Sequence, residues 1–391
     1  MKTRLRPLVL AALLALGGTL AAQPSASWLS APDHVADGVD YFTSTDKSLV
    51  DPPGPTAVYL LRLDAARVRL ASLHARDEIM GLETVDSIAN RHGAIAAING
   101  GFFNTKNGEP VSVLKEAGEL VSDAPAAKGA VIIHAPPGGK TDLDFDQLSV
   151  HLALTIKSAA GDRVVPIDGV DTTRARGKLM LYTPSYHADT DTAGNGTEWV
   201  LRGRPLKVTD VRRDLGRTPI PRDGAVLSFG GLDPAEPLAL LKAGVRVEIR
   251  TTWTSTQGTS SKRLDDADTI VNGAGLLRRK AVLVDNWVQA ESLSATNFIN
   301  TRHPRTLIGV DRKGAIWMAV IDGRQPAYAV GMQFSDLERL CDRLQLTDAL
   351  NLDGGGSSTM VVKGKIVNKP SDANGPRPVS DAIVATLRGA R

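Results

Sequence analysis

The chain has a single cysteine, Cys341, among 391 residues. It can form no internal disulfide and lacks the material for a zinc-type Cys/His cluster, so its stability must come from an ordinary hydrophobic core. Aromatic residues make up only 4%, and that core therefore rests on Leu, Val, Ile and Ala. Neither a P-loop nor a dinucleotide fingerprint occurs, which removes the common nucleotide-binding classes. The formal charge is only +3, and the basic residues are scattered in short groups such as Arg67/Arg69, Arg212/Arg213 and Arg278/Arg279/Lys280. A nucleic-acid surface would cluster them with aromatics interleaved, so no nucleic-acid partner is expected.

The N-terminus carries Lys2, Arg4 and Arg6, then an apolar run from Leu8 to Leu20 and the small pair Ala21-Ala22. This is the charge, apolar and small-residue order of an export signal, expected over residues 1–22. No second long apolar stretch follows, so no stable transmembrane segment is expected once that signal is removed. The composition thus points to an exported protein: periplasmic, secreted or envelope-associated. Residues 23–55 are rich in Ser, Ala, Asp and Pro and end in Pro52-Pro53-Gly54-Pro55. They read as a linker or a loosely attached N-terminal strap. Residues 56–391 then form one catalytic domain.

Within that domain, β-type runs dominate. Ala57 to Leu63 and Val68 to His74 precede a short helix that Thr84 can cap, followed by a buried strand from Ala94 to Ile98. Short runs through the middle, from Ala130 to Trp253, are punctuated by Gly, Pro and Asp. The polar stretch Thr190 to Thr197 reads as a loop with little to pack. Leu307 to Asp311 and Ala315 to Asp322 read as a hairpin. Ser335 and Glu338 have capping-box spacing ahead of the helical stripe Leu337, Leu340, Cys341 and Leu344. The expected fold class is α/β in the mixed α+β sense: β-rich mixed sheets with a few packed helices.

Four strand ends carry the residues that could do chemistry. Ala349 to Asp353 alternates side chains so that Leu350 and Leu352 share one face while Asn351 and Asp353 share the other. Gly354, Gly355 and Gly356 follow, with Ser357 and Ser358. Three consecutive glycines permit a close backbone approach, and their amides could converge into an anion nest beside the Asp353 carboxylate. Asn99-Gly100-Gly101 ends another strand in the same manner. Arg302-His303-Pro304-Arg305-Thr306 enters a third, with Arg305 a candidate bidentate clamp for phosphate and His303 a candidate proton donor. Asp322-Gly323-Arg324 ends a fourth with a carboxylate and a guanidinium. Each motif alone is equally an ordinary turn; their repetition is what points to an active site assembled from strand ends.

In order and composition, the segments Ala97 to Phe103, Arg302 to Thr306, Asp322 to Arg324, Asn351 to Ser358 and Val367 to Ser371 resemble the phosphodiester glycosidase family. The resemblance runs from about Ala57 to the C-terminus. It departs from the family pattern at Asn272-Gly273-Ala274-Gly275, where a richer glycine run followed by proline is expected. It implies hydrolysis of a sugar joined through its anomeric oxygen to phosphate, releasing free sugar and a phosphomonoester. The partner would be a phosphorylated glycan or a sugar 1-phosphodiester. Arg305, Arg324 and the amides of Gly354 to Ser357 would then hold the phosphate. Asp353 or Asp322 would act as nucleophile or base, His303 as proton donor, and Asn99 as an orienting group for sugar hydroxyls, with Gly100, Gly101 and Ser358 lining the substrate site. No cofactor is required, although Asp322 and Asp353 are oxygen ligands of the kind that suit Mg²⁺ or Ca²⁺. Two other readings share these residues: a non-catalytic envelope protein that binds an anionic glycan, and a phosphodiesterase that breaks the P–O bond.

Overall fold

The computed structural model describes residues 28–389, so the expected export signal lies outside the described residues. Four sheets organise the chain. The largest has eight strands, and its centre is formed by Val58–Leu63, Ile316–Ile321, Arg305–Asp311 and Leu346–Asn351. A five-stranded sheet contains Ala96–Asn99, Met360–Val362 and Asp381–Leu387. A seven-stranded sheet is built on the long strands Ala124–His134, Asp142–Ile156 and Val247–Ser255. The fourth, again five-stranded, runs from Gly169–Val170 to Gly224–Phe229.

The period-two alternation of the central strands explains how these layers stack. Ile316, Met318 and Val320 point into a core shared with Leu70, Ile98 and Ile383 of the five-stranded sheet and Val131, Phe145 and Val271 of the seven-stranded one. Trp317, Ala319 and Ile321 point the other way, onto Leu337, Leu340, Cys341 and Leu344 of the helix Phe334–Leu344. Both faces are buried, which is why these strands read as continuous apolar runs. The helix Val85–Arg91 covers the outer face of the smaller sheet through Val85, Ile88 and Ala89. Cys341 is a core thiol.

The architecture is β-rich with few helices, so the α/β expectation holds only in its β-rich part. The strand pairing is antiparallel apart from Gly169–Val170 against Leu179–Tyr182. The strand–helix–strand segments 57–99 and 307–353 do not form adjacent parallel pairs. In each, an antiparallel strand is inserted between the two: Arg305–Asp311 between Ile316–Ile321 and Leu346–Asn351, and Asp381–Leu387 between Val68–His74 and Ala96–Asn99.

Three local expectations are corrected. Part of the segment read as a linker or strap, 33–44, forms a hairpin that extends the eight-stranded sheet at Val58–Leu63. The capping box lies two residues earlier than expected, on Gln333 and Asp336, because Phe334 is already helical and Gln333 is the last extended residue. The polar loop near Thr190 is not idle. Thr190 and Thr192 are buried, and the Glu198 carboxylate accepts hydrogen bonds from the Thr192, Thr218 and Ser228 hydroxyls.

Candidate active site

The antiparallel registers bring the singled-out strand ends together. Arg305 is paired with Ile321, the residue before Asp322, and Leu307 with Asn351, two residues before Asp353. The smaller sheet delivers Asn99 beside them: its Nδ2 donates to the Asp353 carbonyl at 2.8 Å. The Asp353 amide in turn donates to the Gly100 carbonyl at 3.3 Å.

Asn99 is fully committed to this frame. Its Oδ1 accepts from the Thr306 hydroxyl at 2.7 Å and the Thr359 amide at 3.2 Å, and the residue is 1% exposed. It is a strut for the Asp353 turn and has no capacity left for a sugar hydroxyl, contrary to expectation. Gly100 and Gly101 lie on Asp381, whose carboxylate accepts from the Gly101 amide at 3.1 Å. A Cβ at Gly100 would stand 1.9 Å from Asp381 Oδ2. Gly100→Ala is therefore expected to destabilise the fold by at least about 1–3 kcal/mol, the usual cost of overpacking, read as a lowered thermal midpoint.

The glycine turn is a single 3₁₀ turn, Gly355–Ser357. Its amides are largely spent inside the protein: Gly354 donates to Asp353 Oδ1, Gly355 to the Pro304 carbonyl, and Ser357 to the Gly354 carbonyl. The expected nest of free amides is therefore absent, because the glycines serve close approach instead. Gly355, at φ +64°, lies under the Arg324 guanidinium, and a Cβ there would meet Arg324 Nη2 at 2.9 Å. A Cβ at Gly356 would meet Arg377 Nη2 and the Asp372 carboxylate at 2.2 Å each. The turn thus lets two guanidiniums lie against it next to Asp353. Arg377 is held by Asp372 through Nε at 2.8 Å and Nη2 at 3.1 Å. Arg324 is exposed, and no carboxylate pairs with it among the described residues.

Burial pushes the Asp353 carboxyl up to about 6, against the opposing pull of the Ser357 hydroxyl, the Gly354 amide and the Arg377 and Arg324 charges. Ser357 and Ser358 are both buried, and the Ser358 hydroxyl has no hydrogen-bond partner. Such hydroxyls are costly unless something else engages them.

Three expected roles change. Arg305 is 1% exposed. Its Nε donates to the Met332 carbonyl at 2.9 Å, and its Nη2 to those of Phe298 and Thr301 at 2.5 and 3.0 Å. Phe298 stacks on it, with the guanidinium carbon 4.7 Å from the ring centroid. It anchors the loop that carries His303 and is not a clamp open to phosphate. Asp322 is 1% exposed and accepts from Asn368 Nδ2 and the Lys369 amide, each at 2.9 Å, and from the Tyr328 hydroxyl at 3.3 Å. It fixes the 368–369 segment. The groups facing it are N–H and O–H donors. His303 Nε2 faces the Asn297 carbonyl at 3.1 Å, and Nδ1 faces Arg324 at 3.4 Å. That carbonyl needs a donor, so Nε2 carries the proton and Nδ1 accepts. Burial lowers the pKa of His303, and the Arg305 and Arg324 charges add to the effect. A neutral ring positions Arg324; it is not poised to give up a proton.

Arg377, Asp372, Asp381 and Asn272 escaped the sequence reading. The Asp372/Arg377 pair lies in a Pro- and Ser-rich loop with no periodicity. Asp381 opens a strand that reads as plain core. Asn272 lay in the one loop that departed from the family pattern, yet its Oδ1 accepts the Phe102 amide at 3.2 Å.

The strand ends thus assemble one carboxylate and two arginines around a glycine turn, and the sequence has relatives. Residues 195–386 match the model of the phosphodiester glycosidase family. The match contains Asp353, Arg324 and Arg377, whereas Asn99 to Gly101 lie outside it. The N-acetylglucosamine-1-phosphodiester alpha-N-acetylglucosaminidase of Bos taurus is 34% identical over 82 residues, 21% of this chain and 15% of that protein. The chain thus spans only a small part of that relative. Among solved structures, a hypothetical protein from Synechocystis superposes with a TM-score of 0.73 at 22% identity, covering 90% of this chain and 63% of the other. It shares the fold. A protein from Burkholderia pseudomallei K96243 gives 0.71 at 26% identity, over 85% of this chain and 74% of the other.

Proposed function

We propose that this protein hydrolyses the glycosidic bond of a sugar 1-phosphodiester, releasing free sugar and a phosphomonoester. The observation that carries the reading is Asp353, a carboxyl with proton affinity raised to about 6, set on a glycine turn against which Arg324 and Arg377 both lie. A phosphomonoester is a good leaving group and needs little acid assistance. The absence of a poised proton donor at His303 is therefore consistent with the chemistry. What the reaction requires is neutralisation of the departing phosphate and activation of water at the anomeric carbon. Arg324 and Arg377 supply the first, with the Ser357 and Ser358 hydroxyls as further donors. Asp353 supplies the second as general base, since a base with a pKa of about 6 is ionised at neutral pH yet still accepts a proton.

Bos taurus N-acetylglucosamine-1-phosphodiester alpha-N-acetylglucosaminidase gives the substrate class its support. The same reading places the protein outside the cytoplasm, supported by the signal-like order of residues 1–22. Among the described residues no helix is long and apolar enough to cross a membrane. Turnover in ¹⁸O-water tests the reaction: label is expected in the sugar hydroxyl. Label in the phosphate instead would mean P–O cleavage, and saturable binding without products would mean a glycan-binding protein.

A further inference from the structure

Beside the proposed centre lies a cavity of about 330 Å³ that the hydrolytic chemistry does not use. Phe102, Val111, Ala274, Leu293 and Phe298 form its apolar walls, and Ser112, Lys128, Asn272, Ser292 and Ser294 also line it. It is physically continuous with the catalytic frame. Phe102 follows the Asn99-Gly100-Gly101 turn that supports Asp353, and Ala274 donates its amide to the Asn351 carbonyl at 2.9 Å. Phe298 and Asn297 offer the carbonyls that hold Arg305 and His303. One wall of the cavity is therefore the turn that positions Arg324 through His303.

The polar atoms at its edge are mostly engaged already. Asn272 Oδ1 accepts from the Phe102 amide and its Nδ2 donates to the Val113 carbonyl at 3.2 Å. Lys128 Nζ donates to the Glu291 carbonyl, and Ser294 Oγ caps the Asn297 amide at 3.1 Å. Ser112 Oγ is buried without a protein partner. A pyranose ring placed here would strip water from several hydroxyls and recover few hydrogen bonds. A hydrocarbon chain loses nothing, and Ser112 can satisfy one ester or ether oxygen within it. The rim residue Val111 is 60% exposed, an apolar side chain at the mouth of an apolar cavity.

We infer that this cavity receives the second alcohol of the phosphodiester, and that this alcohol is largely hydrocarbon: an alkyl or glycerolipid-like arm leaving the phosphate at Arg324, passing His303 and entering between Phe102 and Phe298. The inference rests on the proposed glycosidase reading and narrows its substrate class from sugar 1-phosphodiesters in general to those with an apolar ester arm.

The test uses the full-length protein and synthetic diesters of one sugar 1-phosphate with methyl, butyl, hexyl and octyl alcohols. Each added methylene that enters the cavity is expected to raise kcat/KM about fourfold until the cavity is full. Val111→Asp, which puts a charge at the mouth, is expected to flatten that dependence. If the methyl diester turns over but chain length has no effect, the inference is overturned while the glycosidase reading stands. If no diester turns over, that reading itself fails. If lengthening an acyl group on the sugar, with the alcohol held constant, produces the rise instead, the cavity belongs to the sugar and the inference is wrong.

Discussion

Asp353→Asn is expected to lower kcat/KM for a sugar 1-phosphodiester by about 10²–10⁴, the usual contribution of a positioned general base. The substitution keeps shape and the Gly354 amide contact but removes the acceptor for the water proton. The wild-type rate should rise with pH and level off above about 6, where the carboxyl ionises. Stability should move in the opposite direction. The folded-state pKa lies above the ordinary value of 3.8, so between those two pH values the folded chain binds more protons than the unfolded one. Stability contributed by this group therefore falls as pH rises from about 4 to about 6. The Asn variant lacks that fall, and its thermal midpoint at neutral pH should equal or exceed that of the wild type. A variant that is more stable and nearly inactive would separate catalysis from folding. Unchanged turnover in a folded Asp353→Asn protein would remove Asp353 from the reaction.

The contrast between Asp353 and Asp322 shows what was legible in the sequence. Both follow apolar strands, and both precede glycine. Local pattern places each at a strand end and cannot separate their roles. The separation comes from partners remote in sequence. Asn368, Lys369 and Tyr328 close around Asp322, whereas Arg324 and Arg377 approach Asp353 across glycines. The same limit explains Asn99 and Arg305. Their positions beside the site were readable from motif order, but their roles were not, because saturation by buried carbonyls and hydroxyls depends on which strands become neighbours. Periodicity served best where both faces of a strand are buried, as at Ile316–Ile321. It failed at the N-terminal hairpin 33–44, where the Ser, Asp and Pro composition of the surrounding segment 23–55 masked strands that pair at a sheet edge. The α/β expectation held only in its β-rich part, for a related reason. Strand–helix–strand order was present twice, but each time an antiparallel strand, Arg305–Asp311 in one case and Asp381–Leu387 in the other, lies between the parallel pair.

The second large effect is expected at the two arginines. Arg324→Ala should reduce kcat/KM by about 10²–10³, the cost of losing one donor to a developing anion. Arg377→Ala should cost less, because Arg377 already shares its charge with Asp372 through two hydrogen bonds. The double variant should lose less than the product of the two, since both guanidiniums serve one phosphate. Arg324→Lys should recover only part of the rate: an ammonium restores charge without the planar fork that spans two phosphate oxygens. The discriminating measurement changes the leaving group. On an aryl glycoside of the same sugar, with a neutral phenol in place of phosphate, the arginine variants should approach the wild-type rate, while Asp353→Asn remains impaired. Equal losses on both substrates would mean that the arginines shape the site and do not carry the phosphate. A loss confined to the phosphodiester would assign Arg324 and Arg377 to the leaving group and Asp353 to the anomeric carbon.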